Sequence, residues 1–312
     1  MLNLILNNNP NCKCSLENTV KDELFELENK PFIIVEGNNI DLDHSNIKVV
    51  QGEKVLFSGN VEVNNNSFRL EFELEKVLGS TNNIKVILDN YEQVFNIKLK
   101  KLYGKATYLN KMPVKNPIIS CTNSNILTVG DEDGNFELLL SHKEDSIGIF
   151  DSKYSKEMLE VWVYNVNLES DLRINAEIDK CEVYGIRMWQ QECSTYIHFI
   201  PMSILRVNEI AIKTSKKESE LILNKHIWPN LKKEDIEIYC NDKQLEILAF
   251  SQIDDFLGNI NGKNIYRNGY IVSVDKIKTD ELSLIKIRFK DTLVLNGKTN
   301  VGIGEGYYLL KQ

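Results

Sequence analysis

A basic excess is missing from this chain. Lys and Arg number 37 against 45 Asp and Glu, a formal net charge of −8. A nucleic-acid backbone binder needs a basic face. The two local lysine runs, "SKKESE" and "LKKED", are each neutralised by adjacent acids. No nucleic-acid partner is expected. Long apolar runs are missing too. None reaches the roughly 18 residues of a membrane-spanning helix, so no membrane insertion is expected. The start, "MLNLILNNNPNC", lacks the basic stretch that opens a signal peptide. The expectation is a soluble chain, with attachment to a cell surface or particle left open.

Cysteine and histidine are sparse. Six cysteines in 312 residues do not make a disulfide scaffold. Cys12 and Cys14 form a C-x-C pair, but no second pair stands at zinc spacing. Cys121, Cys181, Cys193 and Cys240 are scattered, and reduced, mostly buried thiols are expected. A hairpin of "CEVYGIRMW" with "STYIHFI" would be the way to bring Cys181 near Cys193. The four histidines, His44, His142, His198 and His226, share no ligand spacing. There is no H-E-x-x-H, no G-x-S-x-G and no P-loop. The expectation is no catalytic residue, no metal and no cofactor. A glycosidase would need two carboxylates about 5 to 10 Å apart. With 45 acids present, the sequence does not select a pair.

What the chain does have is alternation. "IKVILD" (84–89), "FELLL" (136–140), "LEVWVYNV" (159–166), "IEIY" (236–239) and "SLIKIRF" (283–289) place apolar residues at period two. Asn-rich and Gly-containing turns separate such runs, at 64–66, 80–83, 261–263 and 296–298. The pattern predicts an all-β protein of tandem β-sandwiches with one or two short helices. "SQIDDFLG" (251–258) is the predicted helix, with Ser251 as cap and Gly258 as stop. "LENTVKDELFELENK" (16–30) fits helix or strand. Boundaries are placed near 99 and 180. They give an immunoglobulin-like sandwich with an N-terminal extension over 1–98, a second sandwich over 99–179, and a β-rich unit over 180–312.

The middle block carries a motif. Gly104 and Ala106 open it in a Gly-x-Ala strand. Pro113 and Val114 precede a second strand that leads to Ile118 and Ser120. Asp131, Gly134 and Phe136 then stand as Asp-x-x-Gly-x-Phe. This block resembles the carboxypeptidase regulatory-like domain, a transthyretin-like β-sandwich. Gly130 departs from the family's usual Thr, and the Gly before the Pro is absent. The resemblance covers about a quarter of the chain. It implies a non-catalytic module of the kind appended to peptidases, transporters, adhesins and surface proteins.

Three stretches invite a site. "DEDGNFEL" (131–138) looks like a cation loop. An EF-hand loop needs Gly at position 6 and an acid at position 12. With Gly134 at position 6, Val129 and Leu140 fall at positions 1 and 12, so the register fails. The alternative is a hairpin turn: Gly134 left-handed, Asp131 or Asp133 binding turn amides, Phe136 pointing into the core. "VGIGEGYYLL" (301–310) lacks the spacing of a dinucleotide fingerprint and reads as a terminal strand packed close to a neighbour. Aromatics make the third group: Trp162 and Tyr164 in one strand, and Tyr184, Trp189, Tyr196 and Phe199 around the next. Tyr266, Arg267 and Tyr270 flank an expected Asn-Gly turn and form the expected exposed cluster, since Tyr and Arg are common at binding hot spots. Trp162, Tyr164 and Trp189 complete the candidate binding set. The leading expectation is a non-catalytic binding or structural protein of a surface or particle assembly, with protein partners or glycans. The alternatives are a carbohydrate-binding protein using aromatics of the third unit, and a hydrolase with an acidic site there.

Overall fold

The computed structural model describes residues 2–7, 12–18, 23–29, 31–38, 44–76, 78–89, 91–124, 126–214, 224–260, 262–278, 282–295 and 297–311. The period-two runs become strands, and the chain is all-β. The N-terminal part holds β1 (Leu2–Asn7), β2 (Cys12–Asn18), β3 (Glu23–Asn29), β4 (Phe32–Asn38), β5 (His44–Gln51), β6 (Lys54–Glu62), β7 (Ser67–Glu73), β8 (Thr81–Leu88) and β9 (Tyr91–Lys98). The ambiguous stretch at 16–30 is thus resolved as strand wherever it is described. Sheet β1–β4–β7 and sheet β6–β5–β8–β9 share one core. Ile33 and Val35 of β4 point into it, with Ile47, Val49, Ile84 and Val86 opposite. Ile34, between them, points the other way and joins the middle core together with Ile5. Alternation along β4 therefore serves two cores at once. The side chain of Ser141 adds a polar clasp. It accepts from Leu6 N–H at 3.0 Å and donates to Leu6 C=O at 3.1 Å.

The middle part holds β10 (Lys100–Tyr108), β11 (Ile118–Cys121), β12 (Leu127–Val129), β13 (Asn135–Leu140), β14 (Glu144–Phe150), β15 (Val161–Val166), β16 (Leu172–Arg173) and β17 (Ala176–Ile178). Strand β10 pairs with β13, β16 and β17, and the layer facing it is β12–β11–β14–β15. The turn at 130–134 differs from a simple hairpin. β12 pairs with β11 and β13 pairs with β10, so the turn is a corner between two layers. Asp131, rather than Asp133, holds it. Its Oδ1 accepts the Asn135 N–H at 2.8 Å and its Oδ2 accepts the Asn135 amide at 3.0 Å. Gly134 is left-handed at φ +81, and Phe136 is buried in the core.

The C-terminal part holds β18 (Cys181–Gln190), β19 (Ser194–Ser203), α1 (Ile204–Thr214), β20 (Ile236–Cys240), β21 (Lys243–Leu245), β22 (Ala249–Ile260), β23 (Lys263–Asp275), β24 (Ser283–Leu295) and β25 (Lys298–Leu310). Strand β25 lies parallel to β15 and antiparallel to β24. One eight-stranded sheet, β12–β11–β14–β15–β25–β24–β20–β21, therefore runs through both parts. Its second half packs on sheet β18–β19–β23–β22 through Val183, Phe199, Tyr270, Val272, Ile285 and Ile287.

Two expectations are corrected here. Residues 251–258 are not a helix. They lie in β22, with Ser251 opposite Ile271 and Asp254 opposite Asn268. Gly258 marks a register shift, not a cap, so the apparent helical spacing is a bulged strand. The helix is α1, where Ile204 and Ile210 are buried. Cys181 and Cys193 are also far apart. Cys181 pairs with Ser203 at one end of β18, and Cys193 follows the other end. Ten residues of strand separate those ends, about 30 Å. Both cysteines are free.

Candidate functional site

The β18–β19 hairpin carries a bulge between Tyr184 and Arg187. Gly185 supplies it at φ +62, a backbone region that side chains disfavour. The bulge is fixed from both sides. Gly185 N–H donates to the Tyr164 hydroxyl at 2.9 Å, and its carbonyl lies 3.3 Å from His198 Nδ1. The extra residue keeps Tyr184, Arg187 and Trp189 on one face, opposite Ile200, His198 and Tyr196. Half of that face is covered. Ile210, Ile227 and Trp228 pack over Tyr184, Ile200 and Met202.

The other half is open. Trp189 is 40% exposed and stacks on Tyr196, with ring centroids 5.4 Å apart and planes 6° apart. Arg187 is exposed beside Trp189, and half-buried His198 sits across from it. Burial pushes the His198 imidazole below its ordinary value, so it is neutral at pH 7. Gly269 forms the floor, because a Cβ there would come within 3.3 Å of His198 Nε2. At the far side Arg267 donates to Asp255 at 2.7 Å and lies 5.8 Å over the Trp228 ring. The surface thus offers a stacked aromatic pair, a neutral imidazole and a guanidinium on rigid strands.

The structure separates the predicted binding residues. Tyr266 is 41% exposed and meets exposed Phe256 edge-on near the β22–β23 tip. Arg267 lies on the open face. Tyr270 is fully buried, stacked against Phe199 and Phe250, with its hydroxyl donating to Pro229 C=O. The expected exposed trio is therefore split, because alternation along β23 sends Tyr270 inward and Arg267 outward. Asn268–Gly269 is mid-strand, not a turn. Trp162 and Tyr164 pack against the inter-sheet core. Of the predicted binding set, Trp189 and Arg267 lie on the open face. Arg187, His198 and Asp255 were not in the predicted set. Arg187 was signalled by its i, i+2 spacing from Trp189 on β18; His198 and Asp255 need the register across β19, β23 and β22.

One close pair of acids is buried between two strands. Glu160 and Glu182 meet between β15 and β18, where the Glu160 N–H reaches the Glu182 carboxylate at 3.4 Å. Both are buried. Burial pushes Glu160 up to about 7, and burial with the neighbouring Glu160 charge pushes Glu182 up to about 8. Gly148 makes the room, since a Cβ there would lie 2.9 Å from Glu160 Oε2. The pair is enclosed, with Glu160 7% and Glu182 3% exposed. Glu177, Glu237 and Glu305 instead surround Arg288, at 3.1, 3.5 and 3.3 Å. No group of three His, Cys, Asp or Glu among the described residues is arranged to hold a metal. No helix among them is long and apolar enough to cross a membrane.

No family model matches the chain, and no curated protein matches it. Solved structures give weak likenesses. A candidate carbohydrate-binding protein from Bacteroides uniformis is 8% identical, over 68% of this chain and 99% of that one, with a TM-score of 0.25. A DUF3823 family protein from Parabacteroides merdae is 13% identical, over 68% of this chain and 98% of that one, with a TM-score of 0.19. Invasin, a bacterial integrin-binding protein, is 11% identical, over 96% of this chain and 59% of that one, with a TM-score of 0.18. Scores this low carry no functional argument, so function is argued from the face itself.

Proposed function

We propose that the chain is a non-catalytic modular binding protein, a component of a surface or particle assembly, and that the open half of the β18–β19–β23–β22 face holds its ligand. The observation that carries this reading is the Trp189–Tyr196 pair. An exposed Trp189 backed by half-buried Tyr196 on a strand face, with polar groups beside it, suits the apolar face of a sugar ring. The geometry therefore favours the carbohydrate-binding form of the reading. The middle sandwich supports the modular part. Gly104 approaches the Ile174 carbonyl too closely for any side chain, Gly134 turns the corner and Phe136 fills the core. Those roles agree with a carboxypeptidase regulatory-like module. The enclosure of Glu160 and Glu182 argues against a hydrolase.

A glycan array followed by titration of the best binder tests this. Trp189→Ala should abolish binding and leave thermal unfolding within a few degrees of the parent. Retained binding by that variant would remove the face from consideration. A second reading, a protein partner, is favoured by the apolar β22–β23 tip, where Phe256, Ile260 and Tyr266 are exposed at 57%, 41% and 41%. Light scattering of the parent and of Phe256→Ser separates the two readings. Self-association lost in Phe256→Ser supports the tip as a contact; a monomer in both removes self-assembly through it.

A further inference from the structure

Resting on the carbohydrate reading above, we infer that the open face selects an anionic sugar chain, one carrying uronic-acid carboxylates, with Arg187 as the residue that reads the charge. Arg187 is exposed, and among the described residues it makes no ion pair. Its Nη1 donates to the carbonyl of Ile186 at 3.0 Å. That contact is neutral and uses one of five N–H donors. Two acids share the face. Asp255 is already engaged by Arg267 at 2.7 Å. Asp275 stands opposite Ser194, four residues along β19 from His198, or about 13 Å. Neither neutralises Arg187.

The register places the cation correctly for a sugar. Arg187 precedes Trp189 by two residues on β18, so both emerge on the same side about 7 Å apart. That is near the width of one sugar unit stacked on the indole with its acid group toward the guanidinium. His198, directly across from Arg187, is neutral and can hydrogen-bond a ring hydroxyl without repelling the cation or competing for the carboxylate. The chain as a whole carries a net charge of −8. An anionic polymer is repelled by most of such a surface, so binding must be local and charge-specific.

Calorimetric titration of the full chain with oligogalacturonate, and with the same oligomer fully methyl-esterified, tests the inference. The acid form should bind about tenfold tighter, the increment of one charge-assisted hydrogen bond. The preference should shrink as salt is raised. Arg187→Gln should bring the two affinities together, and Arg187→Lys should keep part of the preference. Arg187 is exposed, so both variants should fold, with thermal unfolding as the control. Equal affinity of the parent for acid and ester overturns the inference and leaves the sugar reading intact. No binding of either oligomer overturns the inference, and the sugar reading then rests on the glycan array alone. Equal affinity for an oligoglutamate peptide overturns it in favour of an acidic peptide.

Discussion

Gly306 of β25 stands in parallel register beside Trp162 of β15. The last described strand thus joins the sheet of the middle sandwich to β24, β20 and β21. The glycine is required by the layer above. A Cβ at Gly306 would lie 2.9 Å from Val183 Cβ and 3.0 Å from the Ile186 side chain and the Val183 carbonyl. Gly306→Val should lower stability by about 1 to 3 kcal/mol through overpacking. Chemical denaturation measures it. A midpoint unchanged within error would mean that β18 can lift away from β25.

The corner at Gly134 makes a separate prediction. Its φ of +81 disfavours any side chain, and a Cβ there would approach the Ala106 carbonyl to 2.5 Å. Gly134→Ala should cost about 1 kcal/mol or more from backbone strain, with the close contact adding to it. Asp131→Ala should cost less, since its amide bonds lie at the exposed surface. Thermal unfolding of the two variants gives the order.

Strand content was legible because alternation is a local property. "LEVWVYNV" and "SLIKIRF" both become strands at the expected places. The corner glycine at 134 was legible for the same reason, as turn chemistry is local. The false helix at 251–258 came from a bulge, which offsets strand periodicity by one residue and imitates helical spacing. The helix over Ile204–Thr214 was hidden because "ILRVNEIAI" is as apolar as a strand and directly follows β19. The candidate face was least legible. Trp189 was named, and Arg187 lies two residues along the same strand, but His198 and Asp255 join that face only through pairing across four strands. Sequence alone does not give that register. Tyr270 was misplaced because composition marks a hot spot, while parity along β23 decides inside from outside.

Arg206 and Asp291 provide a test of how α1 is held. The guanidinium grips the carboxylate with Nε at 2.9 Å and Nη2 at 2.7 Å, and Asp291 is 2% exposed. Arg206→Ala leaves a buried carboxylate unpaired and should cost about 3 to 5 kcal/mol. Arg206→Ala combined with Asp291→Ala should recover part of that loss. A double variant no better than the single one would show that the packing of the arginine stem, not the charge, matters.

The enclosed acids set a pH dependence. In the folded chain Glu160 and Glu182 keep their protons up to about pH 7 and about pH 8. In the unfolded chain both ionise near pH 4.3. Between those limits the folded state holds more protons than the unfolded state. Stability from this pair is therefore fully present below about pH 4.3 and is lost as pH rises to about 8. His198 slopes the other way, since its folded value is lowered, so the raw profile mixes both effects. Comparison with Glu182→Gln removes the mixing. The amide keeps the shape and never ionises. The variant should lose less stability than the parent between about pH 5 and pH 8.5, and should be the more stable of the two at the alkaline end. A tenfold difference in proton affinity between the folded and unfolded states is worth about 1.4 kcal/mol, so even that much is measurable by denaturant unfolding at several pH values. Parallel curves for parent and variant would show that water or a rearranged side chain solvates the pair. The junction between β15 and β18 would then be looser than its packing indicates.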